Sequence, residues 1–126
     1  MRSMAQATKR VLVVEDNNDC RELLVLFIKR LGYEVFEAGT GLHAIDRATS
    51  IHPDLILMDL FLPEMNGADA TACLKANPST RGIPVVINTA YMANDETKRA
   101  LDAGAAEILH KPLDLNGLPA FLRKYL

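Results

Sequence analysis

Residues 55–59 read Leu-Ile-Leu-Met-Asp, an unbroken apolar run that ends in an acid. The run is too short for a helix and is typical of a strand that is buried on both faces of a parallel sheet. Two further runs have the same character, RVLVV at residues 10–14 and VVINT at residues 85–89. Because the most apolar strands of a sheet lie deepest, we expect these three strands at its centre.

Helical patterns alternate with the strands. The first pattern has apolar residues at helical spacing from Leu23 to Leu31 and stops at Gly32. Less apolar strands are predicted at residues 33–38 and 107–110, and further helices at residues 40–50, 68–76, 94–103 and 115–125. Five such alternations predict an α/β fold of flavodoxin-like type, a five-stranded parallel sheet in the order 2-1-3-4-5 with helices on both faces.

Length and composition limit the class of protein. The chain has 126 residues, 49% of them hydrophobic and 24% charged, which is ordinary for one globular domain. We expect a flexible tail at residues 1–8 and a single domain at residues 9–126. Sixteen acidic residues exceed fourteen basic ones, which argues against direct nucleic-acid binding. Short apolar runs argue against membrane insertion, and two isolated cysteines favour a cytoplasmic protein.

Polar side chains stand where the strands end. Glu15 and Asp16 follow the first strand, Asp59 closes the third, Thr89 closes the fourth, and Lys111 follows the fifth. In open α/β sheets the functional site lies beyond the carboxyl ends of the strands, at the point where the strand order reverses. We therefore expect three carboxylates in one crevice, flanked by a hydroxyl and an ammonium.

This set of residue types predicts phosphoryl chemistry. Clustered carboxylates repel one another unless a cation joins them, and ligands that offer only oxygen suit Mg²⁺. Mg²⁺ completes its coordination shell readily with phosphate oxygens. The residues therefore predict Asp59 as the nucleophile, with Lys111 and Mg²⁺ neutralising the phosphoryl oxygens and Thr89 donating a hydrogen bond.

Four segments carry a resemblance to a known family. They are VLVVEDNN at residues 11–18, DLILMDLFLPEMNG at 54–67, VVINTAY at 85–91 and EILHKP at 107–112. Together they resemble the receiver domain of bacterial two-component response regulators, over nearly the whole chain from Lys9 onward. The resemblance implies a phosphoacceptor rather than an enzyme, with at most slow self-dephosphorylation. It implies a histidine kinase or histidine phosphotransfer protein as donor, and a downstream protein that the sequence does not name.

The same resemblance assigns roles to further residues. Glu15 and Asp16 match the acidic pocket, Asp16 more directly as a metal ligand, and the carbonyl of Phe61 matches a backbone ligand to the metal. Thr89 and Lys111 match the switch hydroxyl and the phosphate-binding lysine. The remaining matched positions are Ala90, which leaves the pocket open, and Pro112, which implies a cis bond after Lys111.

One position departs from the family pattern. Ile108 stands where the family usually has an aromatic residue that moves inward as Thr89 binds the phosphate. Tyr91 is a candidate for a related role. Phe61 and Tyr91 also flank the approach of the hydrolytic water in the family, so two bulky aromatic side chains there predict a long-lived phosphorylated form.

Three other functions stay open at this point. A phosphatase of the haloacid-dehalogenase type also uses an Asp nucleophile, but normally has a second Asp where this chain has Phe61. An FMN-binding flavodoxin would need a phosphate-binding loop rich in hydroxyls and glycine at residues 15–18, which are Glu-Asp-Asn-Asn. An unphosphorylated pseudo-receiver scaffold remains an alternative because of Ile108.

Overall fold

The structure is a computed structural model that describes residues 7–90 and 95–126. Within those ranges five strands alternate with five helices. The strands are β1 (Arg10–Val14), β2 (Glu34–Ala38), β3 (Leu55–Asp59), β4 (Val85–Thr89) and β5 (Glu107–His110). The helices are α1 (Asn18–Arg30), α2 (Gly41–Ile51), α3 (Gly67–Ala76), α4 (Asp95–Asp102) and α5 (Leu118–Tyr125).

The strands form one parallel sheet in the order β2-β1-β3-β4-β5. This order confirms the sequence prediction, including the placement of the second and fifth strands at the edges. All residues of β3 and β4 are buried, whereas β5 is half-buried and ends in the exposed His110. In the register, Val14 pairs with Met58, and Asp59 pairs with Asn88. The carboxyl ends of the three central strands therefore meet at one edge of the sheet.

Successive side chains of a strand point to opposite faces, so the sheet separates two apolar layers. Val13 and Leu57 belong to the layer that α1 and α5 cover with Ile28 and Leu122. The opposite layer contains the alternate strand residues, packed against small side chains of α2, α3 and α4. Its buried members include Leu12, Ile56, Ile87, Ala44, Ala48, Ala68, Leu74 and Ala100.

Side-chain caps begin three of the helices next to the site. Asn17 accepts a hydrogen bond from the backbone N–H of Cys20, Thr40 from that of His43, and Asn66 from that of Asp69. A cap of this kind stabilises a helix by about 1 kcal/mol. The caps of α1 and α3 fix the point where each helix leaves the loop that follows β1 or β3.

The helices differ from the sequence prediction in two details. The last helix begins at Leu118, not at residue 115, because the Asp114 side chain accepts a hydrogen bond from the backbone N–H of Asn116 and holds a turn there. In α1 the buried residues are Val25 and Ile28, whereas Leu23, expected on the buried face, is 60% exposed. The apolar face of α1 is therefore turned partly away from the sheet.

Several predicted features lie wholly or partly outside the described residues. These are Tyr91, the Asn94 start of the fourth helix, and most of the tail predicted at residues 1–8. None of the described helices combines the length with the apolar character that a bilayer crossing requires. The two cysteines, Cys20 and Cys73, are exposed and unbridged.

Candidate functional site

Three carboxylates meet at the carboxyl edge of the sheet. One oxygen from each of Glu15, Asp16 and Asp59 lies within 4.8 Å of the others. Glu15 and Asp59 are buried, with 7% and 8% of their surface exposed, whereas Asp16 is exposed. The cluster forms because β1 and β3 are adjacent and end at the same level, so the residues that follow them share one crevice.

Lys111 supplies the positive charge of the cluster. Its Nζ lies 2.8 Å from Oδ2 of Asp59 and 3.2 Å from Oε2 of Glu15. The Lys111–Pro112 peptide bond is cis, as the family resemblance implied. The backbone N–H of Lys111 also donates to the carbonyl of Thr89 over 2.8 Å, which ties the segment after β5 to the end of β4.

Negative charge exceeds positive charge in the cluster, and the pKa values of two of its members are shifted. Burial raises the pKa of Glu15 to about 7, and the hydrogen bond with Asp59 and the charge of Asp59 act in the same direction, against Lys111. Burial alone would lower the pKa of the Lys111 ammonium, but its contacts with Asp59 and Glu15 outweigh burial and raise it. Three carboxylates therefore share one ammonium, and a further cation would offset the remaining negative charge.

The loop between β3 and α3 is held close to Asp59. The backbone N–H of Phe61 donates to Oδ1 of Asp59 over 3.3 Å, and the N–H of Gly67 donates to the carbonyl of Leu60 over 2.7 Å. A Cβ on Gly67 would lie only 2.6 Å from the carbonyl oxygen of Asp59. Glycine at this position therefore lets the loop fold back tightly and leaves the Asp59 side chain facing the crevice.

The remaining residues that the sequence singled out lie around this centre. Thr89 is fully buried at the end of β4, and Ala90, which follows it, is exposed. Pro112 is exposed beside Lys111. Ile108 is half-buried and packs against the apolar layer under α2, α3 and α4, and Tyr91 lies outside the described residues.

Arg21 is a structural neighbour of the site that the sequence analysis missed. Its guanidinium donates to the carbonyl of Glu15 over 2.7 Å, to Glu37 over 3.1 Å and to Asn18 over 2.7 Å. These contacts pin the loop that carries the acidic pair against β2 and α1. A basic residue in the first turns of α1, close to an acidic loop, could have predicted the contact with Glu15. The contact with Glu37 could not be predicted in this way, because Glu37 is distant in the sequence.

A second group of missed residues joins α3 to α4. Arg99 donates to Asp69 over 2.7 Å, to Glu96 over 2.9 Å and to the side chain of Asn66 over 3.2 Å. The Asn66 amide donates to Glu96 over 2.8 Å. The network links the start of α4 to the cap of α3, on the loop that follows Asp59.

The donor set fits a hard divalent cation. Glu15, Asp16 and Asp59 offer only carboxylate oxygens, and these lie within 4.8 Å of one another, near the spacing of ligands around one ion. A cation in this place would also favour the ionised form of Glu15, whose pKa is raised first by burial and then by its contact with Asp59. Neutral nitrogen or sulfur ligands, which would favour zinc, do not belong to this cluster of described residues.

Known proteins are similar to this chain in sequence and in fold. Residues 11–123 match the family described as the response regulator receiver domain. The polar-differentiation response regulator DivK of Brucella ovis is 37% identical over 119 residues, which cover 94% of this chain and 97% of that protein. DivK of Brucella anthropi is 36% identical over 118 residues, with 94% and 96% covered.

Solved structures give the same result. The receiver domain of the sensor histidine kinase PA1611 from Pseudomonas aeruginosa PAO1, with a magnesium ion coordinated in its active site cleft, superposes with a TM-score of 0.87 at 30% identity, covering 94% of this chain and 98% of that chain. The chemotaxis protein CheY4 of Vibrio cholerae superposes with a TM-score of 0.88 at 25% identity, covering 95% and 100%. These similarities do not favour the phosphatase or pseudo-receiver alternatives.

Proposed function

The chain belongs to the response regulator receiver family, and on that premise we propose that Asp59 is the residue that accepts the phosphoryl group. The function itself is that of a phosphoacceptor in two-component signalling. One observation supports Asp59 above any other residue. It is the buried carboxylate that ends the central strand, contacts the Lys111 ammonium and lies beside Glu15 and Asp16.

We assign Mg²⁺ to the carboxylates of Glu15, Asp16 and Asp59 and to the backbone carbonyl of Phe61. The fit of the oxygen donors supports the three carboxylates, and the family pattern supports the carbonyl. When bound, Mg²⁺ supplies positive charge to the oxygens of the transferring phosphoryl group. Asp16 is exposed, so it is also the ligand from which a hydrated ion would first enter the cluster.

The transfer moves a phosphoryl group from a phosphohistidine of the donor to a carboxylate oxygen of Asp59. The N–P bond breaks, its electron pair returns to the imidazole, and a new O–P bond forms at Asp59. The Lys111 ammonium, already in contact with the other carboxylates, binds a phosphoryl oxygen and offsets its charge. Thr89, at the end of the neighbouring strand, donates its hydroxyl hydrogen to the phosphoryl group.

We assign the readout to the residues beyond the strand ends. Ala90 keeps the mouth of the pocket open, and Pro112 orients the segment that carries Lys111. Ile108 packs in an apolar layer and offers no aromatic ring to follow the movement of Thr89. A rearrangement around Thr89 therefore acts through the residues that follow it, among which Tyr91 takes the related role.

The cellular setting is the remaining part of the proposal. Residues 9–126 form the receiver domain. The donor is a histidine kinase or histidine phosphotransfer protein, and the phosphorylated chain acts on a downstream protein without binding nucleic acid or entering a membrane. A cytoplasmic location is supported by two exposed, unbridged cysteines. The chain acts as a phosphoacceptor that loses its phosphate slowly and turns over no separate substrate.

Intact mass spectrometry after incubation with acetyl phosphate and Mg²⁺ tests the assignment of Asp59. One phosphoryl group should be added, and EDTA or Asp59→Asn should prevent the addition. Asp46→Asn, which changes an exposed aspartate on α2, is the matched control and should be labelled like the parent. Undiminished labelling of the Asp59 variant would exclude Asp59 as the acceptor.

A further inference from the structure

The peptide groups on both sides of Glu15 are held by other parts of the chain. The backbone N–H of Glu15 donates to the carbonyl of Ala38, at the end of β2, over 3.0 Å. The carbonyl of Glu15 accepts from Nη1 of Arg21 over 2.7 Å. Because each peptide group is planar, fixing the one before Glu15 and the one after it limits the backbone dihedrals of this residue. The direction in which the Glu15 side chain leaves the backbone is therefore limited as well.

The guanidinium that binds this carbonyl is itself held in place. Its Nε donates to Glu37 of β2 over 3.1 Å, and its Nη2 donates to the side chain of Asn18 over 2.7 Å. Each of the three guanidinium nitrogens thus binds a different acceptor, and the Arg21 side chain is only 18% exposed. A planar guanidinium can make such a set of contacts at once, whereas an ammonium on a flexible stem cannot. Arg21 therefore joins α1, the end of β2 and the acidic loop.

We infer that Arg21 is a positioning residue for the divalent cation, because it sets the carboxylates of Glu15 and Asp16 at the spacing that Mg²⁺ requires. The inference rests on the proposed assignment of Mg²⁺ to these carboxylates and to Asp59. Asp16 is exposed, and its backbone nitrogen belongs to the peptide group whose carbonyl Arg21 binds. Mg²⁺ requires nearly octahedral ligands at about 2.0–2.1 Å, so small displacements of its ligands weaken its binding. Loss of a residue that orients metal ligands typically lowers metal affinity by about 10–100-fold.

Two replacements of Arg21 separate its position from its charge. Arg21→Lys keeps the positive charge but cannot bind the three acceptors together, and Arg21→Gln removes the charge. An effect of charge alone would leave the Mg²⁺ affinity of the Lys variant unchanged and raise that of the Gln variant, since a repulsive charge is gone. Positioning predicts instead that both variants bind Mg²⁺ about tenfold less tightly than the parent. Calorimetric titration of the unphosphorylated protein measures these affinities.

Glu37 tests the same arrangement from the side of β2. Glu37→Gln keeps an oxygen that can accept from Nε of Arg21, whereas Glu37→Ala removes this acceptor. Both variants lose the same negative charge, so a difference between them reports the contact and not the charge. Mg²⁺ should bind Glu37→Gln like the parent and Glu37→Ala several-fold less tightly. Equal affinities of the two variants would contradict the role of this contact.

Arg10 offers a matched control near the opposite ends of the same two strands. It also pairs with a glutamate of β2, Glu34, over 2.9 Å, and it also donates to a backbone carbonyl, that of Ile51, over 2.9 Å. Arg10→Lys should leave the Mg²⁺ affinity of the folded protein unchanged. Urea unfolding in EDTA measures the stability of both arginine variants, so that a loss of metal affinity is not mistaken for a loss of folded protein.

The rate of phosphorylation by acetyl phosphate at increasing Mg²⁺ gives a second readout. Arg21→Lys should need about tenfold more Mg²⁺ for its half-maximal rate and should reach the rate of the parent at saturation. Parent-like Mg²⁺ affinity in Arg21→Lys, an equal loss of affinity in Arg10→Lys, or a parent that binds no Mg²⁺ would overturn the inference. The acceptor is tested separately, because labelling of Asp59→Asn contradicts Asp59 as the acceptor without changing what the Mg²⁺ affinities of the Arg21 variants show.

Discussion

The Nζ of Lys111 lies 2.8 Å from Oδ2 of Asp59, so the proposed phosphoacceptor already contacts a cation of the chain itself. The same ammonium reaches Glu15, which makes Lys111 the positive centre of the carboxylate cluster. A metal ion that binds these oxygens must therefore share them with the lysine. We expect the two cations to act together on a phosphoryl group and to compete for the carboxylates in its absence.

Lys111→Met should separate these two effects. Removing the ammonium relieves its repulsion of the metal, so Mg²⁺ should bind several-fold more tightly, whereas the yield of phosphorylated protein should fall. Calorimetric titration of Mg²⁺ and intact mass after acetyl phosphate measure the two quantities. Lys124→Met, which removes the ion pair between Lys124 on α5 and Glu107 on β5, is the control and should change neither. A variant that binds Mg²⁺ less tightly would contradict the competition.

The stability of the metal-free protein should fall as the pH rises from about 4.5 to about 7. Glu15 has a pKa of about 7 in the folded chain against an ordinary value of 4.5, so the folded state holds a proton that the unfolded state has released. Stability decreases with pH wherever the folded state binds more protons. Urea unfolding in EDTA at several pH values should show the decrease, and Glu15→Gln should remove most of it. A variant with the same pH dependence as the parent would exclude Glu15 as the cause.

Phe61→Asn should shorten the lifetime of the phosphorylated form. Phe61 is 45% exposed two residues after Asp59, and an amide in its place can orient the attacking water that a phenyl ring excludes. Alignment of reacting groups can change a rate by about 100-fold, so a several-fold effect is measurable. The double variant with Tyr91→Glu should lose phosphate faster still, and Phe121→Asn on α5 serves as the remote control. Equal decay in parent and double variant, with Mg²⁺ saturating, would refute the gating role.

Gly67→Ala should destabilise the protein by about 1–3 kcal/mol, as overpacking of a closed space usually does. The added Cβ would lie 2.6 Å from the Asp59 carbonyl oxygen and 3.0 Å from the Cα of Leu60. Both are backbone atoms, so neither can move aside without distorting the loop. Gly82→Ala is the matched control, because nothing lies within 4 Å of its Cβ position. Chemical denaturation of both variants makes the comparison. Equal stability of the two would show that the loop after β3 adapts without cost.

Arg99→Ala should loosen the junction between α3 and α4. The guanidinium binds Asp69, Glu96 and Asn66, so its loss frees the start of α4 from the cap of α3. Amide hydrogen exchange in α4 should accelerate, and the difference should shrink at high salt because the contacts are exposed ion pairs. Lys98→Ala, on the same helix and also exposed, should leave exchange unchanged. Unaltered exchange in the Arg99 variant would mean that apolar packing alone positions α4.

The central part of the fold was predictable because a strand that is buried on both faces has an unbroken run of apolar residues in the sequence. Unbroken apolar runs at β1, β3 and β4 identified the inner strands, and the polar interruptions at Glu34 and Glu37 identified an edge. The convergence of Glu15 and Asp59 follows from that order, because the carboxyl ends of adjacent parallel strands meet. Topology therefore determines which residues approach one another before any side chain is placed.

Other features depend on contacts between residues that are distant in the sequence, and no periodic pattern of residue types predicts such contacts. Arg21 contacts Glu37 across a gap in sequence, and Arg99 reaches Asp69 from another helix. Periodicity groups Leu23 with the apolar face of α1, but the helix buries Val25 and Ile28 instead, and only the packing of the folded chain determines that choice. The unsatisfied oxygen of the buried Asn88 is likewise a property of the packed protein and not of its strand.

Lys111 and Glu15 are separated by 96 positions in the chain, yet their side chains touch. Synthesis proceeds from the amino terminus, so a chain still on the ribosome holds its acidic residues long before their lysine emerges. Any fragment that ends before residue 111 lacks the complete site for the same reason. We therefore expect a chain that ends before residue 111 to accept a phosphoryl group poorly, because it lacks the ammonium that contacts Asp59.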